Sequence, residues 1–264
     1  MNPDNVNIKE GSTARFSNRA DYYALYRPGY PDAVLNILSG AVPLLSTTVV
    51  ADIGSGTGIL SELFLRRGNI VFGVEPNPEM RTIAEKQMVN YPKFKSVAGS
   101  AENTTLAESS VDLISVGQAL HWFDLAKAKV EFQRILRPGG FVAIVSNERL
   151  SASSLFMQAY DDLLHKFSRE YAAIKSEKSQ SISKNVLEQL FGSGEFQTAT
   201  LENWQHFDLE GLKGRALSVS YTPLPGDPLY DKMATDIECL FVTSQKDGLV
   251  TFRYETKVCW GALK

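Results

Sequence analysis

From about Thr47 to Glu148 the chain alternates short apolar runs with segments whose apolar residues recur every three to four positions. The runs are "TVVADIG", "NIVFGVEP", "FKSVAGSAE", "VDLISVGQ" and "FVAIVSN". Several are nearly continuous in apolar residues, as strands buried on both faces must be. Alternation of such strands with helices predicts right-handed crossovers and a mostly parallel sheet covered on both sides.

Helix boundaries can be read in the same stretch. Asn77-Pro78-Glu79 supplies an N-cap, a proline at the first helical position and an acid in the first turn, and Met80, Ile83, Ala84 and Met88 follow at helical spacing. Asp124 can cap a second helix with a buried stripe of Leu125, Ala128, Phe132, Ile135 and Leu136. Arg134 and Arg137 suit its C-terminal end, and Pro138-Gly139-Gly140 is a stop signal.

After Glu148 the rhythm changes. Ser153 to about Phe191 is helical and more polar; "FQTATLENWQHF" reads as a strand, "LEGLKGRALSVS" as a helix, and "YTPLPGDP" as a turn-rich link to another helix. "GLVTFRYETKVCWGAL" alternates apolar and polar residues, as a half-buried strand does, and fits as an antiparallel strand at or near the sheet edge.

Composition narrows the class. The 264 residues suffice for one domain, or one domain carrying a cap, and 44% hydrophobic with 22% charged residues is ordinary for a globular protein. A net charge of -3 with no basic stripe argues against a nucleic-acid partner. No apolar run approaches a membrane span, and the opening "MNPDNVNIKEGS" has no signal core. Cys239 and Cys259 form neither a C-x-x-C pair nor a zinc pattern, so no metal site is expected. The expectation is a cytoplasmic protein, monomer or homodimer.

The candidate chemistry starts at "ADIGSGTGIL". A strand that stops at Gly54 and restarts as a helix at about Gly58 directs helical N–H groups at whatever sits above it. The spacing is G-x-G-x-G, with Ile59 where a dinucleotide fingerprint has its third glycine. Asp52, inside the strand before the loop, suits a cationic ligand better than a pyrophosphate. Glu75 ends the next run, 19 residues after Gly56, where an acid can accept hydrogen bonds from ribose hydroxyls.

"VVADIGSGTG", "GVEPNPEM", "AGSAENTTLAESSVDLISVGQALHWFD" and "RILRPGGFVAIV" resemble, in order and spacing, the motifs of class I S-adenosylmethionine-dependent methyltransferases. The N-terminal "FSNRADYYALYRPGYP" and "QALHWFD" resemble the small-molecule subgroup that includes trans-aconitate methyltransferase-like proteins. The resemblance implies a Rossmann-like, seven-stranded, mostly parallel sheet with one antiparallel strand, helices on both faces and a helical cap. It also implies S-adenosylmethionine as cofactor. Gly54, Ser55 and Gly56 would line its methionine part, and Asp52 would orient the loop and favour the amino group. Glu75 would hold the ribose, with Pro76 and Met80 near the adenine and Ala101 and Glu102 at the adenine edge. Many relatives carry aspartate where this chain has Ser100; Glu102 then becomes the substitute polar contact. Gln118, Ala119, His121 and Trp122 would lie beneath the sulfonium, facing the acceptor. Tyr23, Tyr26 and Arg27 would fold over the cofactor, Arg27 matching its carboxylate in a fork.

The implied domains are an N-terminal helical segment over the cofactor site (1–46), the cofactor-binding core (47–150), a helical cap insertion (151–193), and C-terminal strands and substrate-cap helices completing the sheet (194–264). His121 is the candidate base, needed only if the acceptor must lose a proton; a carboxylate acceptor needs none. His165 and His206 read as structural. Arg15, Arg19 and Arg27 could attract an acidic acceptor, or form a solvated or capping face. Ser220 and Tyr221, in a cap element resembling that of these relatives, are candidate polar contacts. The alternatives are a nicotinamide oxidoreductase on the same sheet and a cofactor-binding regulator without catalysis.

Overall fold

The computed structural model describes residues 19–41, 44–168, 170–171 and 183–263. Arg15 lies outside them. The apolar runs become β1 (Val49–Ile53), β2 (Ile70–Val74), β3 (Phe94–Val97), β4 (Val111–Gly117) and β5 (Leu136–Arg149), followed by β6 (Phe196–Phe207) and β7 (Val250–Gly261). They form one seven-stranded sheet in the order β3-β2-β1-β4-β5-β7-β6. β1 to β5 pair in parallel, whereas β7 runs antiparallel to both β5 and β6. The antiparallel strand thus sits one position in from the edge, and β6 is the edge.

Helices cover both faces. On one, α5 (Leu125–Ile135) and α7 (Lys184–Phe191) bury Phe132, Ile135, Leu190 and Phe191 against Val74, Ile114 and Ile144. On the other, α2 (Ala33–Ala41) and α3 (Ile59–Arg66) bury Val34, Leu38, Leu63 and Phe64 against Val50, Val71 and Leu113. Each such fully buried side chain contributes about 1.5–3 kcal/mol. α4 (Pro78–Gln87) starts as its sequence predicts, with the Asn77 side chain accepting from Met80 N–H at 3.0 Å.

One boundary differs from expectation. α5 ends at Ile135, and Leu136 already pairs with Val111, so Pro138 to Gly140 open β5 and lie beyond the helix. Arg137 leaves the helix end and grips Asp112 at 2.8 Å, while Asp112 accepts Val49 N–H, also at 2.8 Å. The competing carboxylate on β4 outweighs the helix terminus as a partner.

A third cluster caps the carboxyl ends of the parallel strands. β5 and β7 last pair at Arg149–Tyr254, but β6 and β7 continue as a two-stranded ribbon to Phe207–Val250. The ribbon packs against α6 (Leu155–Phe167), α8 (Leu209–Leu217) and α9 (Tyr230–Ser244). Phe252, fully buried, meets Phe156, Tyr160 and Phe207 edge-on at 4.8–5.5 Å between centroids. α1 (Ala20–Tyr26) lies against α8: a Cβ on Gly214 would stand 2.2 Å from the Tyr26 ring, so only glycine permits this contact.

Candidate active site

The order of the strands reverses at β1, with β2 on one side and β4 on the other, and open α/β sheets bind ligands in the crevice at such a point. Here the loop after β1 and the turn after β4 meet. A Cβ on Gly54 would come 2.6 Å from the Ala119 Cβ, and Gly54 (φ +68°), Gly56 (φ +55°) and Gly58 (φ +89°) all occupy the left-handed region. Gly56 differs from Gly54 in one respect: a Cβ there would meet nothing within 4 Å. It borders open space on the ligand side of the loop.

The loop amides are largely spoken for. Gly54 and Ser55 N–H donate to the Val74 carbonyl at 2.8 and 3.1 Å, and Gly56 N–H donates to Glu75 Oε2 at 2.9 Å. Glu75 Oε1 accepts Asn77 N–H at 2.9 Å. Burial raises the Glu75 pKa, opposed by these two N–H bonds and by Arg81. Asp52 is fully buried and accepts hydroxyls from Ser61 (2.6 Å) and Ser115 (3.1 Å). Burial pushes its carboxyl up to about 6 against those bonds, and the charge of Glu75 adds to the rise. Two carboxylates beside engaged amides repel a pyrophosphate and suit a cation or a set of hydroxyls.

Two connected lobes open from this point, sharing Tyr23, Gly54, Gly56, Gln118, Ala119 and Trp122 as walls. The smaller, about 190 Å³, is lined by Glu75, Pro76, Met80, Ala101 and Glu102, with Ser100 beside them. One Glu102 oxygen accepts Asp124 N–H at 2.8 Å. The larger, about 280 Å³, takes in Asp52, Ser55, Arg27 and His121 and reaches under the cap. His121 packs on Trp122 with centroids 4.6 Å apart. Gln118 holds φ +59°, a strained value for a side-chain-bearing residue, and its amide donates to the Asn147 carbonyl at 2.8 Å.

The structure therefore gathers all the predicted site residues except Tyr26. That ring faces Gly214, Tyr22 and Phe207 and lines neither lobe: it is packing between α1 and the cap. Arg19 is also reassigned. It donates to the carbonyls of Leu217, Val219 and Thr222 and to Thr222 Oγ1, bolting α1 to the cap, and lines neither lobe. Arg27 does reach the larger lobe. Its guanidinium stacks 4.8 Å over Tyr23 and donates to the Ser218 carbonyl at 2.9 Å, while its buried Nε has no partner. Tyr221 lines the lobe and Ser220 does not. His206 sits at the exposed sheet edge beside Thr251, and His165 lies 3.7 Å from Asp161.

Sequence reasoning missed the far wall of the larger lobe: Arg149, Tyr171, Arg215 and Tyr254. Two signals were available. Arg149 follows "FVAIVSN" at the carboxyl end of a parallel strand, where ligands bind. Arg215 falls between Leu212 and Ala216 on the apolar stripe of α8, and a charge on an apolar stripe needs an explanation.

A family model described as a methyltransferase domain matches residues 51–144. An uncharacterized methyltransferase of Mycobacterium tuberculosis is 37% identical over 134 residues, 51% of this chain and 52% of that protein. The chain thus spans about half the length of the curated relatives it matches. Among solved structures, a putative type II methyltransferase from Anaeromyxobacter dehalogenans superposes with a TM-score of 0.65 at 21% identity, covering 89% of this chain and 97% of its own. A methyltransferase from Geobacter sulfurreducens, solved with S-adenosylhomocysteine, superposes with a TM-score of 0.53 at 15% identity, covering 95% of this chain and 98% of its own. At these identities the two structures speak for the fold.

Proposed function

Because the chain carries a class I S-adenosylmethionine-dependent methyltransferase domain, we propose that it methylates a small-molecule acceptor bearing a carboxylate. The observation that carries this reading is the pair of lobes sharing one wall, with acids at the donor side and arginines at the far side.

The residues fit the cofactor's chemistry. Glu75 keeps lone pairs for two ribose hydroxyls. Asp52 and the loop from Gly54 to Gly56 suit an ammonium group, and Arg27, with a free buried Nε, suits a carboxylate. Met80, Pro76 and Ala101 offer an apolar bed to a purine, with Glu102 at its edge. Bound there, the cofactor would supply a methyl group on a sulfonium, whose sulfur would leave with the electron pair of the carbon–sulfur bond, so that a carboxylate acceptor would give an ester and S-adenosylhomocysteine. A carboxylate oxygen brings its own electron pair, so no base is required. The chain's task is to align the acceptor, exclude water and hold the cation against aromatic faces such as Tyr23 and Trp122. His121 lines the acceptor side and serves as a contact to the acceptor.

The test has two parts. Calorimetry with S-adenosylhomocysteine and NADH should show binding of the first alone; binding of NADH alone rejects the reading. A screen of carboxylates, phenols and amines, read as S-adenosylhomocysteine release, should give turnover among the carboxylates. Binding without turnover on any class favours a regulator.

A further inference from the structure

Three arginines, Arg27, Arg149 and Arg215, come from α1's end, β5's end and α8 to line one lobe. They are close enough that Arg27 and Arg149 each feel the like charge of Arg215. Arg215 is 3% exposed, yet its partners are neutral hydroxyls: Tyr254 at 3.3 Å and Ser218 at 3.1 Å. Among the described residues it meets no carboxylate. Arg149 is paired, yet one of its donors is left over. One nitrogen bonds Asp161 at 2.6 Å and the Tyr171 hydroxyl, while its buried Nε has no partner. The Tyr160 hydroxyl, on the ring beneath Arg149, is also buried and unpartnered. The other acids of the lobe do not answer this charge: Glu148 pairs with Lys257 at 2.6 Å, and Asp52 lies at the donor side, hydrogen-bonded to Ser61 and Ser115. This wall has more buried donors and positive charge than the protein itself satisfies. Such a surplus is costly unless an anion completes it.

We propose that Arg149 and Arg215 form a seat for an oxyanion of the acceptor, a carboxylate or phosphate group that anchors the molecule and is not itself methylated. The proposal deepens the functional reading above and rests on it. Two guanidiniums from different elements can each present N–H groups to one oxyanion, which gives orientation as well as attraction. The same bonds tie up the oxyanion's lone pairs, so a group seated there is a poor nucleophile. The reacting atom belongs instead at the wall shared by both lobes, Gly54, Gln118, Ala119 and Trp122, which neither Arg149 nor Arg215 joins. Arg27 remains for the cofactor's carboxylate. The acceptor is then a small molecule with an anionic anchor at one end and, as a separate group at the other, the carboxylate that takes the methyl group.

The experiment uses the full chain saturated with S-adenosylhomocysteine. It is titrated calorimetrically with succinate, with inorganic phosphate and with 1,4-butanediol, an uncharged match for succinate in length. At least one anion should bind and the diol should not; which anion binds identifies the anchor. R215M should weaken that anion about tenfold to hundredfold and leave the affinity for S-adenosylhomocysteine within about twofold. If R215M does not fold, R149Q at the strand end gives the same readout. The seat is overturned if neither anion binds while S-adenosylhomocysteine does, or if an anion binds the variant as tightly as the parent. It is also overturned if the variant loses S-adenosylhomocysteine, since the seat would then belong to the cofactor. Failure of the parent to bind S-adenosylhomocysteine at all removes the functional reading first, and the seat with it.

Discussion

Replacing Asp52 by asparagine should stabilise the protein at alkaline pH and weaken its grip on the cofactor. The carboxyl is fully buried, and its pKa is pushed up from an ordinary 3.8 to about 6. A carboxyl with a higher pKa folded than unfolded destabilises the fold once ionised. Stability therefore rises as pH falls through about 6, and continues to rise down to the unfolded value. At 1.36 kcal/mol per pH unit the full effect is about 3 kcal/mol. Roughly half of it is recovered between pH 8 and pH 5. D52N has no such titration, and the hydroxyls of Ser61 and Ser115 can rotate to suit an amide. Paired thermal melts of parent and variant cancel the titrating groups that do not feel the charge of Asp52. The gap in Tm should favour D52N at pH 8 and shrink by about 3–6 °C at pH 5. Calorimetry at pH 8 should show S-adenosylhomocysteine binding about tenfold more weakly to D52N. A Tm gap that ignores pH would refute the buried-charge argument, and an unchanged affinity would detach Asp52 from the cofactor.

Other substitutions probe the remaining walls. Gly56→Val should fold, at a cost of about 1–2 kcal/mol for its left-handed backbone, and lose S-adenosylhomocysteine in a calorimeter, because its side chain enters space the protein leaves open; normal binding would place the ligand elsewhere. Glu75→Gln should raise the S-adenosylhomocysteine Kd roughly tenfold to hundredfold through loss of charge-assisted bonds. Arg19→Ala should cost about 3 kcal/mol, seen as a Tm loss of about 6–12 °C, by freeing α1 from the cap carbonyls. His121→Ala should leave S-adenosylhomocysteine affinity intact and lower turnover on an accepted carboxylate about tenfold; unchanged turnover would end any role for it in the reaction.

The donor side is legible because its chemistry is local. A strand, a glycine turn and a helix lie within a dozen residues, and the chain's own connectivity brings Glu75 beside Gly56. The acceptor side is assembled across separate elements: Arg149 at the end of β5 meets Asp161 on α6, and Arg215 on α8 meets Tyr254 on β7. No short-range spacing encodes those meetings. Tyr26 shows the opposite failure. Its neighbours Tyr23 and Arg27 reach the cavity, but the helix turns Tyr26 to Gly214, and helical periodicity alone does not say which face meets the ligand. Arg137 shows that a basic residue at a helix end can be claimed by a distant carboxylate.

The ribbon of β6 and β7 beyond Arg149 joins the cap to the sheet by a continuous ladder of backbone hydrogen bonds. The cap is cantilevered. A slip of one residue between β5 and β7 would turn Tyr254 outward and Arg253 inward, so the acceptor chamber takes its dimensions and its charge from strand register. Such a mounting separates two jobs. Side chains on the overhang can be rewritten for new acceptors while the anchorage, and the donor lobe beside β1, stay in place.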